Sequence, residues 1–67
     1  MKNLYKVKFL ILKNNFNFEP ENTEISVNSG DNLAEEIKKK VILQGRGIGK
    51  TFEIEIIKKT FLGISKY

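Results

Sequence analysis

The stretch from Asp31 to Gln44, DNLAEEIKKKVILQ, is the only part of this chain with helical periodicity, and it constrains the fold more than any other feature. Leu33, Ala34, Ile37, Val41 and the stem of Gln44 fall at the spacing that gathers them on one helix face, with Glu35, Lys38 and Lys39 opposite. Asp31 or Asn32 can accept from the first free amides, and Asn32 with Glu35 has the spacing of a capping box. Glu35 with Lys39 and Glu36 with Lys40 stand at i, i+4 in the favourable order, each pair contributing about 0.2–0.5 kcal/mol. Gly45 occupies the place of a left-handed C-terminal cap, and Ile42 falls opposite the apolar stripe.

Either side of this helix the chain alternates as strand. Tyr5, Val7, Phe9 and Ile11 alternate with Lys6, Lys8 and Leu10 across residues 4–13. Asn14 and Asn15 fit a two-residue turn, which sets Phe16 opposite Lys13 and Phe18 opposite Ile11 and sends both rings to the core. Pro20 then interrupts the ladder. Counted straight through, Ile25 and Val27 would face away from the core, so an odd-length bulge or loop near Pro20–Asn22 is expected. Beyond the helix, Phe52, Ile54 and Ile56 alternate with Glu53 and Glu55 as a third strand, and a turn at Lys58 and Lys59 leads to a fourth over Phe61 to Lys66. The expectation is a single α+β domain over residues 1–67. It is a small two-layer sandwich of order β-β-α-β-β, with one amphipathic helix packed on a mostly antiparallel four-stranded sheet.

A chain of 67 residues buries only about 60% of the surface its unfolded form exposes, so its core is small. With no cysteine and no histidine, disulfide staples and the common zinc sites are excluded, and no metal or cofactor is expected. The usual general base and thiol nucleophile are missing as well. Glu53 and Glu55 share a strand face, but as an acidic stripe on a solvent-facing strand rather than a catalytic pair. The reading is non-enzymatic. No apolar run approaches the roughly 20 residues of a membrane span. Lys6 and Lys8 interrupt the apolar start where a secretory signal would be continuous, so that segment reads as strand and the protein as cytoplasmic.

The segment from Gln44 to Thr51 ends in Gly-Lys-Thr, as a phosphate-binding loop does. That loop runs from strand into helix, whereas here a helix enters and a strand leaves, so no helix N-terminus backs the amides. What survives is a glycine-rich basic loop carrying Arg46 and Lys50. Lys38, Lys39 and Lys40 are spread around the helix beside Glu35 and Glu36 and read as a solvated surface. Lys6 and Lys8 share a strand face with Leu10 and Leu12. Together with Lys58, Lys59 and Lys66 they form a mixed basic and apolar surface suited to a nucleic-acid backbone or an acidic protein groove. Leu10, Leu12 and Ile57, with Leu62 or Ile64, leave apolar side chains on the outer sheet face, a pattern that fits a partner or a homodimer.

In size, build and lysine- and asparagine-rich composition the chain resembles small accessory proteins of bacteriophages and mobile elements. The likeness rests on composition and assigns no residue a role. It implies a protein that binds one host macromolecule, a protein or nucleoprotein complex, in the host cytoplasm and blocks or redirects it, as anti-CRISPR and other anti-defence proteins do. The alternative is a small nucleic-acid-binding module that meets phosphates through the Gly45–Lys50 loop and surface lysines. Eleven lysines, one arginine and a net charge of +4 permit it, but arginine, the usual base-reading residue, appears once.

Overall fold

Alternation along the first strand dictates the architecture, because its odd-numbered side chains need a cover and a single helix supplies it. The computed structural model describes residues 2–14 and 16–65. Asn15 of the expected turn, and Lys66 and Tyr67, lie outside the described residues. The elements are β1 (Lys2–Leu12), β2 (Glu21–Val27), α1 (Leu33–Leu43) and β3 (Glu53–Ser65). They form a three-stranded sheet of order β2-β1-β3, with β1 antiparallel to both neighbours. Strands β2 and β3 are therefore parallel, and α1 carries the chain from one edge to the other.

The helix starts where its residues say it should. The Asn32 side chain accepts from the Glu35 amide at 3.2 Å, and Asp31 accepts from the Asn28 amide at 2.9 Å, closing the preceding turn. Gly45 ends the helix with φ of +65°, a conformation that costs other residues roughly 1–2 kcal/mol. Ile37 and Val41 are buried against Val7, Phe9, Ile11 and Phe52. Two expectations for this helix change. Lys39 pairs with Glu36 at 3.3 Å, an i, i+3 contact, while Lys40 reaches across to the Thr23 hydroxyl and the Glu24 carbonyl. Ile42 packs against the core, and Leu43 is the apolar helical side chain left outside, 86% exposed.

The expected four-stranded, β-β-α-β-β sheet is corrected: there are three strands, and the order is β-β-α-β. Lys58 and Lys59 do not turn the chain. They pair with Lys8 and Val7 inside one continuous β3 of 13 residues. No glycine, proline, asparagine or aspartate is available there to favour a turn. The chain continues straight by absorbing two register shifts, one at Ile57, between the Lys58–Lys8 and Ile56–Phe9 pairs, and one at Leu62, between the Phe61–Tyr5 and Gly63–Leu4 pairs. Each extra residue reverses the face on which later side chains emerge. Ile54 and Ile56 face the helix, and after the first bulge Lys59 and Phe61 take that face while Lys58 and Thr60 join the outer one.

The break before β2 falls where Pro20 required it. Phe16 makes an isolated bridge with Lys13, no strand covers residues 17–20, and pairing resumes with Glu21 opposite Phe9. This returns Val27 to the buried core and Ile25 to its margin. The loop changes the fate of the two phenylalanines. Phe18 lies against the core, but Ile11 has no partner in β2, and Phe16 is 54% exposed, stacked on Phe18 with ring centroids 5.9 Å apart.

Candidate functional site

The outer sheet face can be assembled row by row from the register. Across β2, β1 and β3 it presents Ser26, Leu4 and Gly63, then Glu24, Lys6 and Thr60, then Asn22, Lys8 and Lys58. Past the end of β2, Leu10 lies beside Glu55 and Leu12 beside Glu53. Lys6, Lys8, Asn22, Lys58 and Thr60 line an open depression of about 290 Å³ at the centre. A second depression, of about 410 Å³, opens at the end of the sheet against Leu10, Leu12, Phe16, Phe18 and Glu53. Leu10 follows the Lys8–Lys58 row on the same face and lines the second depression, so the two form one surface with a cationic middle and a greasy end.

What distinguishes these lysines is that the fold does not use them. The other cations mostly have structural contacts. Lys38 lies over the Phe52 ring at 5.4 Å and Lys59 over Tyr5 at 5.8 Å. Lys39 pairs with Glu36, Lys40 bonds to β2, and Lys13 donates to the Thr51 carbonyl at 3.1 Å. Arg46 reaches Glu21 at 2.7 Å. These contacts with Glu36 and Glu21 are the ion pairs among the described residues. Lys6, Lys8 and Lys58 therefore have no carboxylate of the described residues within ion-pair distance, although Glu24 stands opposite Lys6 in the ladder. Lys8 and Lys58 are directly opposed across β1 and β3, an arrangement that weakens a sheet.

Of the residues singled out from the sequence, the structure gathers Lys6, Lys8, Lys58, Leu10 and Leu12 on this one face. Lys59 emerges on the helix side, and Ile57 sits at the bulge on the β3 edge. Arg46 and Lys50 lie apart in the glycine loop, Arg46 held by Glu21 and Lys50 exposed. Asn22, Thr60 and Phe16 complete the surface and escaped the sequence reading. Asn22 and Thr60 become visible only once the register is known, and Phe16 had been assigned to the core by parity.

The chemistry of this surface suits an anionic ligand. Three ammonium groups offer up to three donors each, and the Asn22 amide and Thr60 hydroxyl add neutral donors beside them. Among the described residues no group of three or more carboxylates gathers to hold a metal ion, and no helix is long and apolar enough to cross a membrane. No family model, curated protein or solved structure matches the chain.

Proposed function

We propose that this is a non-enzymatic binding protein whose outer sheet face docks an acidic segment of a partner protein. The carrying observation is the set Lys6, Lys8 and Lys58, gathered around one depression without an ion-pair partner among the described residues and adjoined by exposed apolar groups. Carboxylates of the partner would neutralise the lysines, and its apolar side chains would cover Leu10, Leu12 and Phe16. Charge at the centre would set orientation and on-rate, with apolar burial supplying affinity. Binding and obstructing a host macromolecule, in the manner of phage-encoded anti-defence proteins, is the biological role consistent with this reading.

The measurement is fluorescence anisotropy of a labelled peptide alternating glutamate and leucine, titrated with the protein at low salt. Lys6→Glu/Lys8→Glu should weaken binding by about tenfold or more, as loss of two close charge contacts does. Arg46→Ala/Lys50→Ala should leave it unchanged. Equal binding by the wild type and the Lys6→Glu/Lys8→Glu protein would overturn the assignment.

One observation favours a second reading. Phe16 presents an exposed ring in the second depression, where Lys13 also lies, and an aromatic platform near positive charge is a combination found in single-strand binders. Oligothymidine in the same assay separates the two. Binding that falls steeply with salt and is lost in Phe16→Ala, with no peptide binding, transfers the function to nucleic acid.

A further inference from the structure

The free edge of β3 fits a second copy of this chain. The strand runs 13 residues at the border of the sheet, against 7 in β2, and four large apolar side chains stand exposed along it: Ile57, Phe61, Leu62 and Ile64. A long edge with this much apolar surface is a template for strand pairing. Helix α1 spans about 16 Å. That is less than half of the 38 Å long axis, so the helix covers one end of the sheet. At the other end Phe61 and Ile64, on the helix side by their pairing with Tyr5 and Asn3, are 55% and 62% exposed.

Charge reverses within the first half of the strand, with Glu53 and Glu55 before Ile56 and Ile57, and Lys58 and Lys59 after them. We propose that two copies pair antiparallel along β3 about a two-fold axis between Ile56 and Ile57, making one continuous six-stranded sheet. In that register Glu55 of each copy stands opposite Lys58 of the other. The bulge at Ile57 is what makes this possible, because it puts Glu55 and Lys58 on the same outer face, opposite Leu10 and Lys8 respectively. The same axis lays the uncovered Phe61 end of one copy beside the helix-covered Phe52 end of the other, so each copy's helical layer flanks the other's exposed rings. A parallel arrangement in the same register would set lysine against lysine. The two-fold is isologous and closes at two chains. It occupies Lys58 and leaves Lys6 and Lys8, one strand further in, open to a partner.

Sedimentation velocity across a concentration series tests the pairing. The wild type should sediment at twice the protomer mass and dissociate on dilution. Glu55→Lys and Lys58→Glu each set like charges against each other twice and should raise the dissociation constant by about tenfold. Glu55→Lys/Lys58→Glu together exchange the signs and should restore the dimer to near the wild-type constant. All these positions are exposed, so each variant should retain the wild-type circular dichroism spectrum. A protomer mass throughout the series overturns the proposal and leaves the bulges and lysines as protection of a free edge. A dimer indifferent to both single substitutions overturns the register.

Discussion

At the scale of residues, the fold separates side chains that hold it together from side chains it merely tolerates. Ile37 and Val7 are fully enclosed, and Ile37→Ala should cost about 2–5 kcal/mol in a chemical denaturation experiment, a loss a core this small can barely sustain. Lys8 is the opposite case. It faces Lys58 across the sheet with no ion-pair partner among the described residues, so Lys8→Glu replaces a repulsive cross-strand pair by an attractive one. We predict that Lys8→Glu raises unfolding stability by about 0.2–1 kcal/mol while weakening capture of the acidic peptide. A substitution that improves the fold and damages binding marks a position kept for something other than folding. Measured destabilisation with unaltered binding would show that Lys8 serves the sheet. Parity alone revealed Lys6, Lys8, Leu10 and Leu12, because side chains on a strand alternate whatever the strand pairs with. It could not reveal Phe16, whose face depends on a loop that the alternation does not describe.

At the scale of elements, the helix was legible because periodicity, cap and terminating glycine agree within one local segment. Asn32 and Gly45 both act as their positions require. Strand β3 was not, because its continuity is decided by β1. Without a turn-forming residue at Lys58 and Lys59, the ladder to Val7 and Lys8 wins over the expected turn, and the strand stays continuous by absorbing two bulges. The bulge at Ile57 also carries Lys58, already grouped with Lys6 and Lys8, and Thr60 onto the outer face, and Thr60 was hidden by the same misreading. Amide hydrogen exchange tests this element directly. The Lys58–Phe61 segment should exchange far more slowly than the Gly45–Lys50 loop, whose three glycines hold positive φ angles of 65°, 76° and 76°. Equal, fast exchange in both segments would restore a turn between two shorter strands.

At the scale of the whole molecule, a single helix covers one side of three strands and leaves the other side to its surroundings. That uncovered side gathers Lys6, Lys8 and Lys58, which make no ion pair among the described residues, whereas the helix lysines and Arg46 are largely engaged within the chain and Lys50 lies exposed in the glycine loop. Net charge alone does not locate a binding surface, because it counts engaged and unengaged lysines alike. The location comes from subtracting the contacts. The most direct test of this central claim is a nitrogen–proton correlation NMR titration with the glutamate–leucine peptide. Shifts should concentrate at Lys6, Lys8, Leu10, Asn22 and Thr60, with the Gly45–Lys50 loop unmoved. Shifts confined to Arg46 through Lys50, or spread evenly over every lysine, would contradict it.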